Sequence, residues 1–157
     1  MPVSKDEFRS AMSRFASGVT VVTTRDEAGQ PSGITVSSFA SLSLEPPLVL
    51  ICIDKRTHIH SLLVEGRHFA VNVLAEDQEI LSRRFASRDV DRFSGTGYTD
   101  GVTGVPILND VLTAIECRVV QVCTGGDHTI FIGEVEHALV SDGKPLAYFR
   151  GGYAQLV

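Results

Sequence analysis

Residues 114–137 read AIECRVVQVCTGGDHTIFIGEVEH, and this stretch decides the fold that the sequence predicts. Its two halves, residues 114–122 and 129–137, are rich in β-branched and other apolar residues, which is typical of strands. The TGGD sequence of residues 124–127 between them is a tight turn signal. Strands joined by such a short turn pair antiparallel, which favours a mostly β protein over repeated βαβ units.

The rest of the chain continues the strand pattern, with two or three short helices inserted. A capping box of Ser4 and Glu7 predicts an N-terminal helix that ends near Gly18, with Phe8, Met12 and Phe15 on its apolar face. Because most strands follow one another directly, we expect an antiparallel barrel. Helices are predicted over 57–64 and 78–86 (apolar positions Ile80, Leu81 and Phe85), strands over 19–24, 34–40, 48–53, 69–74 and 146–150, and a loop over 94–105. The run 48–53 is apolar throughout and predicts a strand buried on both faces.

The composition is that of one globular domain, residues 1–157. A net charge of −5 argues against a general role with nucleic acid or anionic membranes. No apolar run reaches the roughly 18 residues of a membrane span, and the acidic N-terminus lacks a signal-peptide core, so a cytoplasmic location is expected. The odd count of three cysteines, Cys52, Cys117 and Cys123, argues against a disulfide framework. Cys117 and Cys123 lie six residues apart in a strand-like run and are predicted to be buried packing residues.

Several common catalytic motifs are absent from the sequence. No G-x-G-x-x-G follows a predicted strand, which argues against a Rossmann dinucleotide site, and there is no P-loop or G-x-S-x-G elbow. His58 and His60 lie two residues apart without an obvious carboxylate or third histidine nearby, so we expect no metal site.

The run GITVSSF, residues 33–39, places small hydroxyl side chains inside a predicted strand. Thr35 and Ser37 share one face because strand side chains alternate, and Ser38 interrupts the apolar face of Val36. Such a surface would let a flat heteroaromatic ring approach and would meet its polar edge. A solvated strand face with Thr and Ser as outward residues is the alternative, and the run by itself favours that alternative.

Two short charged segments are further candidates for ligand binding. The DKRT sequence of residues 54–57 leads into a predicted helix, where N–H groups, a hydroxyl and two cations would bind phosphate; an ordinary charged turn is the alternative. In the GDH sequence of residues 126–128, His128 follows an acid at a tight turn and could hold a proton or a ligand. The alternative there is a surface turn in which Asp127 caps its own backbone.

The order and spacing of several segments resemble the flavin reductase-like family, specifically the small reductase components of two-component flavin-dependent monooxygenases. The resemblance extends from about residue 7 to the C-terminus, and the ordered set of segments is more specific than any one of them. The matching segments are FASGVTVVT (15–23), GITVSSF (33–39), SLEPPLVL (43–50), FAVNVL (69–74), RFA (84–86), GDH (126–128) and IGEV (132–135).

The resemblance implies a split β-barrel of the Greek-key, FMN-binding type, usually a homodimer with flavin near the subunit interface. It implies an enzyme that transfers hydride from NADH or NADPH to FMN or FAD and supplies reduced flavin by diffusion to a partner oxygenase. Two alternatives stay open: a flavin-binding protein without turnover, and an oxidase with tightly held FMN.

The resemblance also implies a set of site residues, divided among three parts of the ligands. The isoalloxazine edge would lie on Thr35, Val36, Ser37 and Ser38; the ribityl chain and phosphate on Cys52, Asp54, Lys55, Arg56 and Thr57, with Arg84 and Phe85 nearby; and the nicotinamide near His128 and Tyr153.

Overall fold

The computed structural model describes residues 1–88 and 91–157, and most of the ordered elements in this part of the chain are strands. The helices there are α1 (Lys5–Met12), α2 (His58–Leu62) and α3 (Glu79–Ala86). The strands are β1 (Ser17–Gly18), β2 (Thr20–Arg25), β3 (Pro31–Val36), β4 (Phe39–Ser43), β5 (Leu48–Asp54), β6 (His68–Val73), β7 (Tyr98–Asp100), β8 (Pro106–Leu108), β9 (Thr113–Gly125), β10 (His128–Val140), β11 (Leu146–Phe149) and β12 (Gly152–Gln155).

Seven strands form one antiparallel sheet in the order β3-β2-β6-β9-β10-β5-β4. Its two edge strands, β3 and β4, are consecutive in sequence and are linked by only Ser37 and Ser38. That link spans at most about 10 Å, so the sheet must curl until its edges meet. At the meeting point the Cys52 N–H donates to the Ser38 carbonyl at 3.0 Å. Because β3 and β4 are not paired with each other, the barrel is split along this seam, as the family resemblance implies.

The barrel interior is filled by apolar side chains that point inward from opposite walls of the curled sheet. Val22, Ile51, Phe69 and Phe131 are all at most 1% exposed and belong to one cluster. Gly133 makes this packing possible, since a Cβ there would lie 2.7 Å from the Phe69 ring. A second cluster lies between the sheet and α3, β8 and β11.

The hairpin that predicts the fold is confirmed and is longer than its sequence pattern indicates. Strands β9 and β10 each extend over 13 residues, and His128 pairs with Gly125. The turn therefore contracts to Gly126 and Asp127. Gly126 has a φ of +65°, which glycine adopts without the steric cost that a side chain would bring.

Two strand predictions are wrong in detail, and both errors concern the seam. The predicted strand over 34–40 is broken after Val36, because β3 pairs with β2 whereas β4 pairs with β5. Strand β5 buries Val49, Ile51 and Ile53 but leaves alternate residues, including Cys52, half-buried. One face of β5 is thus available to a ligand.

The helix and cysteine predictions are confirmed only in part. The Ser4–Glu7 capping box is present, but α1 ends at Met12, well before Gly18. None of the α1 residues is buried, so its apolar residues do not enter this chain's core. In α3, Phe85 is buried whereas Ile80 is exposed, and only Cys117 of the three cysteines is fully buried.

The predicted loop over 94–105 contains the short strand β7, and β12 follows the last strand that the sequence indicates. No helix in the described ranges combines the length and apolar character needed to cross a membrane.

Candidate functional site

A cleft of about 200 Å³ lies at the seam of the barrel, where β3 ends beside β5 and β10. It forms there because Asp54 and His128 are opposite each other in the β5–β10 register, and the Ser38 carbonyl is tied to Cys52. Seven of the residues that the resemblance implies are brought together in this seam cleft. The lining residues are Ile34, Thr35, Val36, Ser37, Ser38, Cys52, Ile53, Asp54 and His128.

The break between β3 and β4 leaves hydrogen-bond donors available in the seam cleft. Within residues 1–88 and 91–157, the N–H groups of Ser37 and Ser38 have no hydrogen-bond acceptor, and both residues are exposed. Val36 also lines the cleft, but it is buried and belongs to the core cluster of the barrel. Two unused N–H groups beside small hydroxyl side chains fit the carbonyl and ring-nitrogen edge of a flavin.

A buried serine that the sequence analysis missed connects two of the predicted site residues. The Thr35 hydroxyl donates to the Ser82 carbonyl at 2.7 Å, and the Ser82 hydroxyl lies 2.6 Å from the Tyr153 hydroxyl. Tyr153 itself lines no part of the seam cleft and stacks with the Arg83 guanidinium 4.9 Å from its ring centre. The available signal was the position of Ser82, four residues after Gln78 and three before Phe85, on the buried face of α3.

The turn between β5 and α2 holds its cations in internal contacts. Arg56 donates to the Asp54 carboxylate through Nη2 at 2.8 Å and Nε at 3.2 Å, and the Lys55 ammonium donates to the Thr124 hydroxyl at 2.6 Å. The Arg56 hydrogen bonds hold the pKa of Asp54 well below its usual range. The Thr57 hydroxyl donates to the Asp54 carbonyl. Lys55, Arg56 and Thr57 therefore lie beside the seam cleft without lining it.

The tip of the β9–β10 hairpin places a histidine at the edge of the seam cleft. The Asp127 carboxylate lies 2.8 Å from the Nδ1 of His128, and this hydrogen bond lowers the pKa of Asp127. The Lys55 N–H donates to the Asp127 carbonyl at 3.0 Å, which ties the tip to the β5–α2 turn. With Nδ1 engaged, the Nε2 of His128 is the ring atom that is left for a ligand.

Two predicted site residues on α3 lie behind the seam cleft. Phe85 is fully buried and packs against Gly33, so it supports β3 and offers no surface to a ligand. Arg84 donates to the Thr96 hydroxyl at 2.8 Å. Neither residue lines the cleft.

A second cleft of about 500 Å³ lies next to the first, and sequence reasoning identified only Thr57 among its residues. Its lining comes from three separate segments, so no local pattern indicates it. The lining residues are Asp26, Gln30, Pro31, Ser32, Gly33, Ile34, Thr57, His58, Ile59, Asp91, Arg92 and Phe93.

The split barrel has a hydroxyl-lined cleft at its seam, with His128 of the β9–β10 hairpin at the edge of that cleft. These features define a β-barrel protein of the flavin reductase type. Residues 12–157 match the family model described as flavin reductase like domain, and the chain belongs to this family.

Curated relatives and solved structures agree with this assignment. The reductase component of a 4-nitrophenol 4-monooxygenase/4-nitrocatechol 2-monooxygenase from Rhodococcus opacus is 40% identical over 156 residues, 99% of this chain and 83% of that protein. The FMN reductase (NADH) SmoA from Agrobacterium fabrum is 43% identical, over 94% of this chain and 84% of its own. The NADH:FAD oxidoreductase SgcE6 from Streptomyces globisporus, solved with NAD and FAD fragments, superposes with a TM-score of 0.92 at 36% identity, covering 98% of this chain and 93% of its own.

Proposed function

We propose that this protein is an NAD(P)H-dependent flavin reductase that transfers hydride from nicotinamide to FMN or FAD and supplies reduced flavin to a partner monooxygenase. The seam cleft carries the proposal, because it joins the N–H donors of Ser37 and Ser38 to His128, which is 90 residues after Ser38 in sequence. The functions of its relatives support it, since they include a monooxygenase reductase component and an NADH-dependent FMN reductase.

The bound flavin and nicotinamide supply the redox chemistry, and the protein supplies binding and orientation. We assign the N–H groups and hydroxyls of Ser37 and Ser38 to the polar edge of the flavin ring. His128 would position the nicotinamide end, with Asp127 holding the imidazole through Nδ1. Hydride transfer needs the reacting atoms about 3–3.5 Å apart and aligned, so positioning alone is a sufficient role for His128.

The flavin phosphate is assigned to the β5–α2 turn, where Lys55 and Arg56 are exposed beside the seam cleft. Both cations would exchange their present partners for phosphate, which forms stronger charge-assisted hydrogen bonds than a hydroxyl does. The test compares FMN with riboflavin in Lys55→Ala, Arg56→Ala and Arg84→Ala. A phosphate contact is worth about 1.5–3 kcal/mol, so at least one variant should lose roughly ten- to a hundredfold of the FMN preference. If all three keep the wild-type preference, the phosphate binds elsewhere.

We also propose a homodimer. Phe8, Met12 and Phe15 are 56%, 55% and 81% exposed, and a second copy of the chain would cover this apolar surface. Light scattering at micromolar concentration checks the assembly, and a monomeric mass would contradict it. Delivery of reduced flavin to an oxygenase by diffusion and a cytoplasmic location remain predictions.

Steady-state oxidation of NADH and NADPH with FMN, FAD and riboflavin tests the function directly. A reductase should turn over added free flavin many times. A flavin-binding protein would bind flavin without oxidising NAD(P)H, and an oxidase with tightly held FMN would purify yellow and respond poorly to added flavin.

Variants in the seam cleft test the flavin position. Ser37→Leu and Ser38→Leu should weaken flavin binding, because a larger side chain fills space that the ring requires. Ser141→Leu is the matched control, since Ser141 is exposed and lines neither cleft. Wild-type flavin affinity in both cleft variants would contradict the assignment.

A further inference from the structure

Two hydrogen bonds connect the C-terminal strand β12 to the seam cleft through helix α3. The Tyr153 hydroxyl of β12 lies 2.6 Å from the Ser82 hydroxyl of α3, and the Ser82 carbonyl accepts from the Thr35 hydroxyl at 2.7 Å. Thr35 lines the seam cleft, whereas Ser82 and Tyr153 line neither cleft. Tyr153 is therefore placed to affect a ligand of the seam cleft through Ser82 and Thr35, without touching the ligand.

Strand β3 needs such support because it lies at an edge of the sheet. Among the strands that the structure describes, it pairs with β2 alone, and its other edge faces the seam. From β2, the Thr20 hydroxyl donates to the Val36 carbonyl at 2.6 Å. The hydrogen bond between Thr35 and Ser82 adds an anchor from α3, so the end of β3 that lines the cleft is held by two different elements.

Helix α3 fits closely against β3, so a displacement of the helix would be passed on to the strand. A Cβ at Gly33 would lie 2.9 Å from the Phe85 ring, which is closer than van der Waals contact. Ser82 lies three residues before Phe85 on the same buried face of α3. Because the Ser82 carbonyl is a main-chain group, the Thr35 hydroxyl follows the position of the helix itself.

Tyr153 is a fixed point to which α3 is attached. Its ring is covered by the Arg83 guanidinium, 4.9 Å from the ring centre, and meets the Tyr148 ring edge-on with ring centres 5.3 Å apart. Strand β12 pairs with β11, and the Leu146 N–H at the start of β11 donates to the Leu74 carbonyl at 3.1 Å. The Tyr153 hydroxyl is thus held by strand pairing and by contacts on its ring.

Loss of the Tyr153 hydroxyl would disturb α3 at Ser82. The Ser82 side chain is fully buried, and a buried serine without a partner turns to the carbonyl four residues earlier, which here belongs to Gln78. The Ser82 N–H already donates to that carbonyl at 3.2 Å, and a second bond from the side chain bends a helix. Such a bend would move the Ser82 carbonyl relative to Thr35.

The direction of the Thr35 hydrogen bond sets what this residue offers to a ligand. A hydroxyl carries one proton, and Thr35 donates its proton to the Ser82 carbonyl. For a ligand in the seam cleft, the Thr35 oxygen is therefore an acceptor, whereas the N–H groups of Ser37 and Ser38 are donors. A Thr35 hydroxyl released from Ser82 would rotate, so this hydrogen bond fixes the donor and acceptor pattern of the cleft.

We propose that Tyr153 is a positioning residue for the flavin site: its hydroxyl holds Ser82 and thereby fixes the Thr35 hydroxyl at the seam cleft. The inference rests on the proposed reductase function and deepens it. It gives Tyr153 a role behind the flavin, in place of the position beside the nicotinamide that the family resemblance implies.

Flavin titrations of two tyrosine variants test the proposal. Tyr153→Phe keeps the ring and removes the hydroxyl, so the Kd of FMN from fluorescence quenching should rise about 2- to 13-fold, the range for one uncharged hydrogen bond. Tyr148→Phe is the matched control, since the Tyr148 hydroxyl has no hydrogen-bond partner within residues 1–88 and 91–157, and its Kd should equal that of the wild type. A wild-type Kd in Tyr153→Phe would refute the positioning role.

A double-mutant cycle separates positioning from a general loss of stability. Thr35→Val removes the hydroxyl that Ser82 holds and nearly preserves the shape of the side chain. If Tyr153 acts through Thr35, adding Tyr153→Phe to Thr35→Val should leave the Kd of FMN unchanged. If Tyr153→Phe raises the Kd by the same factor with Thr35 and with Val at that position, Tyr153 is merely structural and the proposal is wrong.

Steady-state kinetics provide a second readout and distinguish this inference from the proposed function. In Tyr153→Phe the KM for FMN should rise, whereas the KM for NADH at saturating FMN should keep its wild-type value. A higher KM for NADH with unchanged FMN affinity would place Tyr153 at the nicotinamide and overturn the inference. Absence of NAD(P)H oxidation by the wild type with every flavin would instead overturn the reductase function, while the FMN titrations would still decide the role of Tyr153.

Discussion

The position of the flavin can be tested without any mutation, through the reactivity of Cys52. Its thiol is half-buried in the seam cleft, so a bound flavin ring should shield it from an alkylating reagent. Cys123 is also half-buried but lines neither cleft, which makes it an internal control. Cys117 is fully buried and serves as the unreactive reference.

The expected rates follow from thiolate content and ligand occupancy. Burial raises the pKa of the Cys52 thiol, so labelling is best done at mildly alkaline pH. Burial, with nearby Glu136 and Glu116, raises the pKa of Cys117 to about 12, so only about one thousandth of it is thiolate near pH 9. If bound flavin blocks Cys52 completely, FMN at about 100 times its Kd should slow the labelling of Cys52 roughly a hundredfold.

Labelling with iodoacetamide, followed by mass spectrometry of the peptides, measures the three rates separately. Cys52 should be protected by FMN and by riboflavin, Cys123 should react at the same rate throughout, and Cys117 should stay unlabelled. Equal labelling of Cys52 with and without saturating flavin would refute the assigned position. Equal protection of Cys123 would show that flavin changes the whole fold rather than covering one cleft.

Three further predictions concern single residues. His128→Ala should reduce kcat/KM for NAD(P)H by about 2- to 13-fold, the equivalent of one uncharged hydrogen bond of roughly 0.5–1.5 kcal/mol, with flavin Kd unchanged in a fluorescence titration; weaker flavin binding instead would assign the histidine elsewhere. Asp54→Asn removes the carboxylate that holds Arg56, so the ratio of FMN to riboflavin affinity should rise, and a constant ratio would show that Arg56 does not reach the phosphate. Burial raises the pKa of the Glu116 carboxyl. Hydrogen bonds from the Thr103 hydroxyl and from the N–H groups of Thr103 and Val102 outweigh burial and bring this pKa below the ordinary value of 4.5. The ionised Glu116 carboxylate therefore stabilises the fold fully above pH 4.5, and this stabilisation is lost as the pH falls below it. In urea unfolding, the free energy of unfolding of the wild type should exceed that of Glu116→Gln near neutral pH, and the difference should shrink in acid. A difference that does not change with pH would contradict this.

Elements with a local cause could be predicted well from the sequence. The β9–β10 hairpin follows from two β-branched runs and a glycine turn, and the Ser4–Glu7 capping box is a contact over three residues. The GITVSSF and GDH segments stand out in the sequence because hydroxyl and charged residues interrupt an apolar pattern, and the fold brings both segments to the seam cleft. The family resemblance supplied the roles that the residue types left open.

The tertiary structure decided which of those residues meet and which groups remain available. The GITVSSF run alternates like one strand, yet the closure of the barrel breaks it after Val36, since the two halves pair with different partners. That break is what leaves the Ser37 and Ser38 N–H groups without acceptors among the residues that the structure describes. Likewise, the sequence left Arg56 open as a phosphate ligand or as part of a charged turn, and the fold brings the Asp54 carboxylate within hydrogen-bond distance of it.

The sequence by itself therefore determined a mostly β protein with an antiparallel β9–β10 hairpin, and its resemblance to the flavin reductase family implied the split barrel. Only the folded chain decided that Phe85 supports the site from the core, that Ser82 connects Thr35 to Tyr153, and that a second cleft lies beside the first. The physical reason is that periodicity and turn chemistry act over a few residues, whereas a cleft forms between segments that are far apart in the chain. Their approach depends on how the whole sheet curls, and no local pattern records it.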